Sequence, residues 1–229
     1  MKKLPALVAL ALMPIAAWSA DLKFSDAPVW VSGSQRCGGD GNAQLIDFDK
    51  DGDLDLATSA PNPSRWVVFE NNRGKFGRRP VWESKPTTDC DHISVVDFNQ
   101  DGMPDLAGTH ESHNTLYLND ESRGKRFGAA PDWETGFYTD SNQIDFGDMD
   151  GDGDHDMLIA SGLPVYQLAL FENKDGKLSR TITRRIGPRK YSESSIFGDI
   201  DNDGDLDIIA TYSKMGTIVV FKNEGDGEF

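Results

Sequence analysis

A nine-residue pattern that occurs four times constrains the fold of this chain more than any other feature. It carries aspartate at positions one, five and nine, aspartate or asparagine at position three, and glycine at position six. The copies begin 50 or 51 residues apart, at Asp47, Asp97, Asp148 and Asp199. So many carboxylates on one short segment repel each other unless a cation lies among them. A hard divalent cation with oxygen ligands is the expected occupant, and the glycine allows the sharp turn that a loop around it needs.

The charge of the chain is concentrated in these loops. The 229 residues include 38 Asp and Glu against 23 Lys and Arg, for a formal net charge of −15. The four loops alone hold 18 of the aspartates. The acidity therefore indicates metal loops, and it argues against nucleic-acid binding, which requires a basic face. The length is sufficient for one sizeable domain with its own core.

The first twenty residues have the pattern of a secretory signal peptide. Two lysines follow Met1, an apolar run extends from Leu4 to Ala17, and small residues surround Trp18. Cleavage after Ser19 or after Ala20 is compatible with the pattern. The alternative is a retained membrane anchor, although the apolar run is short for a bilayer span. We therefore expect a signal peptide over residues 1–20, a single domain over 21–229, and a secreted or periplasmic protein.

Export would place the two cysteines, Cys37 and Cys90, in an oxidising compartment. They precede the first two aspartate loops by similar distances, so they occupy similar places in neighbouring repeats. We hypothesise a disulfide between them. The alternative is a pair of small buried thiols.

Two further landmarks repeat with the aspartate loops and define a unit of about 50 residues. Phe24–Trp30 matches Phe76–Trp82 and Phe127–Trp133, with proline and tryptophan at the same positions, whereas the copy from Leu178 lacks both. Each unit also contains an apolar run that ends in asparagine, at Asn71, Asn119, Asn173 and Asn223. No stretch after residue 20 has convincing helical periodicity.

Each unit is interpreted as four short strands. In the last copy we predict strands near Ser194–Gly198, Leu206–Thr211 and Thr217–Asn223. Units of this length with four strands predict an all-β fold, a β-propeller of four four-stranded blades. A parallel β-solenoid needs much shorter repeats. The segment from Phe24 to Val31 is expected to complete the last blade and close the ring. The alternatives are part of a larger propeller or a protomer that pairs with a second copy.

The loops differ from EF-hands in two respects. Their twelfth positions are Thr58, Gly108, Ile159 and Ala210, where an EF-hand has a bidentate glutamate. Each loop is also followed by a strand-like run instead of a helix. The ninth position is always aspartate, so a cage of side chains one, three, five and nine with the carbonyl of position seven is expected inside a β-hairpin.

The pattern D-x-D-x-D-G-x-x-D between strands, repeated about every 50 residues, resembles the FG-GAP/VCBS repeat family, and Phe-Gly pairs such as Phe76-Gly77 add weak support. The resemblance implies calcium-binding propeller blades, as in the integrin α-subunit head and many secreted bacterial proteins. It implies up to four Ca²⁺ ions. The ligand positions that it implies, with the carbonyl used at the fourth member of each set, are Asp47, Asp49, Asp51, Asp53 and Asp55; Asp97, Asn99, Asp101, Met103 and Asp105; Asp148, Asp150, Asp152, Asp154 and Asp156; and Asp199, Asp201, Asp203, Asp205 and Asp207. The second site has the fewest charges, and we expect it to empty first on chelation.

The face opposite the metal loops is the expected partner-binding face, because variable loops on a rigid scaffold are where binding usually occurs. Its loops are Gly33–Asn42, Ser59–Arg65, Ser84–His92, Thr109–Asn114, Thr135–Asn142, Ser161–Tyr166, Gly187–Glu193 and Thr211–Gly216. Its candidate contact residues are Arg36, Arg65, His92, Tyr138, Tyr166, Arg189, Tyr191 and Tyr212. The partner would be a protein or a carbohydrate.

The sequence lacks the motifs of the common catalytic sites, including a nucleophile elbow and a phosphate-binding loop. The cluster from His110 to His113 has its histidines three apart in a predicted loop, which favours a polar turn over a zinc site. A calcium-stabilised exported binding or scaffold module is therefore the preferred prediction. The alternative is a polysaccharide lyase or glycoside hydrolase built on a propeller.

Overall fold

The structure is a computed structural model that describes residues 27–32, 42–60, 63–124, 126–162, 164–212, 216–225 and 227–229. The predicted signal peptide, Arg36 and Cys37 lie outside the described residues. The chain divides into two compact units, Met1–Val31 and Ser32–Phe229. In the first unit, the described residues 27–31 form no strand.

Within the described residues, the second unit is all-β and contains three four-stranded antiparallel sheets, of which the first two are meanders of strands consecutive in sequence. The first sheet is formed by β1 (Ala43–Ile46), β2 (Asp55–Ala60), β3 (Arg65–Phe69) and β4 (Trp82–Glu83). The second sheet is formed by β5 (Cys90–Val96), β6 (Asp105–His110), β7 (Thr115–Tyr117) and β8 (Trp133–Glu134). The third sheet is formed by β9 (Ser141–Gly147), β10 (Asp156–Ser161), β11 (Leu168–Phe171) and β14 (Arg184–Ile186). A small hairpin, β12 (Asn173–Lys174) with β13 (Lys177–Leu178), separates the last two strands of this sheet.

The last sheet has three strands among the described residues: β15 (Ser194–Gly198), β16 (Asp207–Tyr212) and β17 (Thr217–Phe221). These three strands confirm the strands predicted for the fourth repeat, with shifts of one or two residues at their ends. The outer strand β17 exposes Ile218 and Val220, which are 74% and 53% accessible. Closure by the segment from Phe24 to Val31 stays a prediction.

The core is divided into three clusters, each filling the space between successive sheets. Sheets one and two enclose Trp66, Trp82 and Phe127; sheets two and three enclose Trp133 and Phe171 with their neighbours. Sheets three and four enclose a third cluster, which includes Leu158, Ile208 and Tyr212. Second strands such as β6 and β10 are buried along their whole length, and each contributes side chains to the clusters on both faces of its sheet.

Close packing between the first two sheets depends on Gly108. A Cβ atom at this position would lie 2.2 Å from Nε1 of Trp66. The same indole N–H donates a 3.2 Å hydrogen bond to Nε2 of His110, which is fully buried. Polar bonds also join the first strands of neighbouring sheets: the Ile93 amide donates to Oδ1 of Asn42, and the Phe197 amide donates to Oδ2 of Asp145. Neighbouring repeats are thus connected by specific contacts as well as by burial.

The described helical structure is limited to one short 3₁₀ turn, Glu121–Arg123. Within the part of the chain that the structure describes, no helix has the length and apolarity needed to cross a membrane. The prediction that the chain after residue 20 is built from strands is confirmed for the described ranges.

Candidate metal centre

Each aspartate loop connects the first two strands of its sheet, and the four loops share one backbone conformation. The fourth and sixth positions of every loop have positive φ. For the sixth position, always glycine, φ lies between 84° and 101°. Side chains rarely adopt this region, so the glycines are required by the turn. The fourth positions are Lys50, Gln100, Gly151 and Asn202, with φ between 55° and 73°.

The loop conformation directs backbone N–H groups at the carboxylates of the pattern. In every loop the amide of the sixth position donates to the carboxylate of the first, at 3.0 to 3.4 Å. The amide of the seventh position donates to the carboxylate of the fifth, at 2.8 to 3.1 Å. These bonds hold the acidic side chains on the inner side of the turn. They also offset part of the repulsion among them.

In three of the four loops, three of the predicted ligand side chains converge. Oxygen atoms within 4.8 Å of one another are contributed by Asp47, Asp49 and Asp51 in the first loop and by Asp199, Asp201 and Asp203 in the fourth. In the third loop the converging set is Asp148, Asp150 and Asp156, which includes the ninth position. The second loop follows a different pattern at its third position, where Nδ2 of Asn99 donates to the carboxylate of Asp101 at 3.0 Å.

The ninth aspartate has a structural role that the sequence did not indicate. Each of the four is buried, and its two carboxylate oxygens accept hydrogen bonds from two backbone amides. One amide belongs to the second position of the same loop, at 2.9 to 3.0 Å. The other belongs to the asparagine that follows the third strand, at 2.7 to 2.9 Å. The ninth aspartate therefore ties the metal loop to the far end of its own hairpin.

Burial raises the pKa of three of these ninth aspartates above the ordinary value. Desolvation is the largest cause in each, and the backbone amides oppose it. The pKa of Asp105 is raised to about 7 and that of Asp156 to about 6, and the pKa of Asp55 is raised in the same direction. A bound cation would favour the ionised form of these groups.

The donor set fits a hard divalent cation with oxygen ligands. Two position-one carboxylate oxygens, Oδ1 of Asp97 and Oδ1 of Asp148, are buried and have no hydrogen-bond partner among the described residues. Unpartnered buried carboxylate oxygens are costly, and a cation in the loop would satisfy them. The seventh side chain is engaged elsewhere in two loops: Asp53 and Asp154 accept the amides of Arg73 and Asp175. This arrangement suits a ligand role for the backbone carbonyl at position seven.

Neighbouring loops are also joined to each other. Nδ1 of His155, at position eight of the third loop, lies 3.3 Å from the carbonyl oxygen of Asp97 at position one of the second. The side-chain amide Nε2 of Gln100 in the second loop donates to the carbonyl of Gly153 in the third. The second and third loops therefore lie side by side at one end of their sheets.

A lysine lies at the fourth loop. Nζ of Lys222 is 2.5 Å from Oδ2 of Asp201 and 3.2 Å from Oδ2 of Asp203. These two carboxylates raise the pKa of Lys222, chiefly through the hydrogen bond to Asp201. Lys222 is not among the residues predicted from the sequence, where its only signal is its position directly before Asn223.

The candidate contacts on the opposite face differ widely in accessibility. Tyr138 is 56% exposed and is available for binding. Tyr212 is only 1% exposed, so the expectation that it contacts a partner is wrong: its ring packs in the third core cluster, below the surface. Arg65 forms an ion pair with Glu83, and Tyr191 donates to Asn142. Burial lowers the pKa of the half-buried His92.

The histidine cluster is a structural feature of the second repeat. His110 is buried and contacts Trp66, Thr115 and Thr87 through its ring nitrogens. Desolvation, followed by the nearby His113, lowers the pKa of His110 to about 3, so this ring is neutral. Both ring nitrogens are occupied by protein groups, which supports the prediction of a polar turn.

The cavity between the second and third sheets has a volume of about 210 Å³. Between the first two sheets the corresponding space is filled by Phe127, which contacts Trp82, and the Trp82 N–H donates to the carbonyl of Gly128. The third repeat has the smaller Leu178 in this position, and the buried N–H of Trp133 has no partner among the described residues. Leu178 therefore fills less of this space than Phe127 fills between the first two sheets.

A protein-family model described as an FG-GAP-like repeat matches residues 47–108 and 97–159. Residues 47–159 carry FG-GAP-like repeats. The two matches cover the first three aspartate loops and the sheets between them. The fourth loop lies outside the matched residues, and its conformation and ninth-position contacts repeat those of the first three loops.

No curated protein matches the sequence significantly. Among solved structures, the crystal structure of BBS1N in complex with ARL6DN, soaked with lead, is similar with a TM-score of 0.52 and 11% identity, over 86% of this chain and 63% of that one. The V. cholerae biofilm matrix protein Bap1 is similar with a TM-score of 0.51 and 12% identity, over 80% of this chain and 27% of that one. This chain thus spans less than two thirds of either structure, and the likeness shows a shared fold.

Proposed function

We propose that the protein binds calcium through its four aspartate loops, and that calcium fixes the first hairpin of each repeat. The observation that carries the proposal is the repeated loop geometry: carboxylates converge in the first, third and fourth loops, and two buried carboxylate oxygens of the second and third loops lack partners among the described residues. Calcium accepts six to eight oxygen ligands with flexible geometry, whereas magnesium prefers fewer carboxylates and more water. An affinity in the extracellular range, with Kd on the order of 10⁻⁴ to 10⁻³ M, would suffice for an exported protein.

The proposal includes the architecture and the location. The repeats are proposed to be VCBS-type blades of a four-bladed propeller, closed by the segment from Phe24 to Val31. The support is that this segment shares its Phe, Pro and Trp positions with the segments that lead into β4 and β8. Residues 1–20 are proposed to be a signal peptide that directs the protein to the periplasm or the exterior. A disulfide between Cys37 and Cys90 belongs to the same proposal.

The biochemical role proposed is a binding or scaffold module for a protein or a glycan on the face opposite the metal loops. Antiparallel pairing places the connections β2–β3, β6–β7 and β10–β11 at the ends of the sheets away from the aspartate loops. Tyr138 is an exposed aromatic side chain in a connection of this end, which suits recognition of a partner.

Two experiments test the proposal. Isothermal titration of the chelator-stripped protein with Ca²⁺ and, in parallel, with Mg²⁺ should show binding of calcium with a clear preference over magnesium. Absence of calcium binding at millimolar concentrations would refute the metal assignment. Glycan-array and polysaccharide-degradation screens of the calcium-loaded protein address the partner: binding without turnover supports the module, and depolymerisation supports the lyase or hydrolase alternative.

A further inference from the structure

The residue that precedes the repeat asparagine differs in charge among the four repeats. The asparagines are structurally equivalent, because each donates its backbone amide to the ninth aspartate of its own loop. The preceding residues are Glu70, Leu118, Glu172 and Lys222. The first and third repeats therefore have an acidic residue at this position, the second has a neutral one, and the fourth has a cation.

The side chain at this position is close enough to the metal loop to affect it. In the third repeat, the charge of Glu172 acts on Asp150, the third position of its loop. Lys174 pairs with Glu172 at 2.7 Å and partly offsets this charge, but it forms no ion pair with a carboxylate of the loop among the described residues. In the fourth repeat, the ammonium of Lys222 contacts the carboxylates of the third and fifth loop positions, Asp201 and Asp203, at 2.5 and 3.2 Å. These are two of the three residues whose oxygens converge in this loop.

We propose that Lys222 is a built-in counter-ion of the fourth loop, which competes with the divalent cation for Asp201 and Asp203. The inference rests on the proposed calcium binding of the loops. When calcium is absent, the ammonium neutralises part of the carboxylate repulsion and holds the loop. Entry of calcium displaces the ammonium and leaves it beside the bound cation. The fourth loop is therefore a weaker calcium site than the first and third, although its pattern contains five aspartates.

The charge count gives the same ranking. Side chains one, three, five and nine carry four negative charges in the first, third and fourth loops and three in the second, where Asn99 is neutral. Lys222 reduces the local charge of the fourth loop to that of the second. Exposed ion pairs are individually weak, so the expected loss of calcium affinity through two such contacts is on the order of fivefold.

The test uses calorimetric calcium titrations of the full chain and of Lys222→Met, which keeps the aliphatic stem and removes the charge. The affinity of the fourth-loop step is expected to rise about fivefold in Lys222→Met and further in Lys222→Glu. Asp199→Ala removes the fourth-loop binding step from the titration and so identifies it. The double variant Asp199→Ala with Lys222→Met should bind calcium in the remaining steps with the same affinities as Asp199→Ala alone. Lys190→Met, an exposed lysine in a loop of the opposite face, is the control for net charge.

A second measurement separates a counter-ion from a merely structural lysine. In excess chelator Lys222→Met should melt below Lys190→Met, because the fourth loop has lost the ammonium that contacts Asp201 and Asp203, whereas calcium should reverse the order. The inference would be overturned if Lys222→Met and Lys190→Met melted at the same temperature in chelator. It would also be overturned if Lys222→Met bound calcium at the fourth loop with the affinity of the unmodified chain. In either case the proposed function would stand. If no variant bound calcium, the proposed function itself would fail, and the chelator comparison would still decide whether Lys222 holds the loop.

Discussion

Replacement of Asp156 by alanine should strongly destabilise the protein even when no metal is bound. Its two carboxylate oxygens accept the amides of Met149 and Asn173 at 3.0 and 2.8 Å, and both bonds are buried. Each amide left without a partner costs about 1–3 kcal/mol. Removal of the buried carboxylate relieves part of its own desolvation cost, which raises its pKa to about 6. We therefore expect a net loss of about 2–4 kcal/mol, out of a total that is about 5–15 kcal/mol for a typical domain.

The assay is urea unfolding in excess chelator, monitored by circular dichroism. The dependence of the unfolding free energy on urea concentration is compared between the variants and the unmodified chain, because equal slopes show that the same amount of surface is exposed on unfolding. Asp152→Ala is the matched control, because this carboxylate belongs to the same loop but accepts only an exposed amide, that of Asp154. Its loss should cost less than about 1 kcal/mol in chelator. Asp156→Asn retains one acceptor oxygen and should fall between the two. If Asp156→Ala and Asp152→Ala were equally stable in chelator, the two buried hydrogen bonds that Asp156 accepts would not stabilise the fold.

Three further predictions concern packing and pH. Gly108→Ala should cost about 3 kcal/mol, because its Cβ would lie 2.2 Å from an indole nitrogen, whereas Gly198→Ala, with no atom within 4 Å of the added carbon, should be nearly neutral by thermal melting. Leu178→Phe should occupy part of the open pocket of about 210 Å³ and raise the free energy of unfolding by about 1 kcal/mol, and a lower melting temperature would contradict this. In chelator, stability should fall as pH rises from about 6.5 to 8, because two ninth-position carboxyls bind protons more tightly in the folded state than in the unfolded state. Below about pH 6.5 the buried His110 opposes this trend, because its lowered pKa of about 3 leaves it unprotonated in the folded state only. Calcium should weaken the dependence above about pH 6.5, and a stability that rises with pH in that range in chelator would refute it. The two carboxyls are those of Asp105 and Asp156, with pKa values of about 7 and about 6.

The repeat geometry was accessible from the sequence because it is local. A glycine at the sixth loop position predicts the tight turn, and the observed φ of Gly204 is 101°. Strand positions follow from β-branched and apolar runs between fixed turns, as in β16 and β17. The grouping of Asp47, Asp49 and Asp51 likewise follows from their spacing in one loop.

The remaining features depend on contacts between distant parts of the chain. The double acceptor role of Asp207 requires the position of Asn223, which is set by the pairing of β16 with β17. The same pairing brings Lys222 over the fourth loop. Tyr212 was expected at the surface because it follows a strand, but packing between the third and fourth sheets buries it. Pattern analysis assigns a residue to a loop, whereas only the packed sheets show which side of the loop it occupies.

The most direct test of the account is thermal unfolding of the full chain in excess chelator and in millimolar calcium. The account predicts a melting temperature that rises with calcium concentration, since a ligand that binds only the folded state stabilises it by mass action. The rise should be reduced in a variant that combines Asp47→Ala with Asp148→Ala, which removes the first ligand of the two strongest proposed sites. An identical melting temperature of the unmodified chain in chelator and in calcium would contradict the claim that these loops are calcium sites that stabilise the fold.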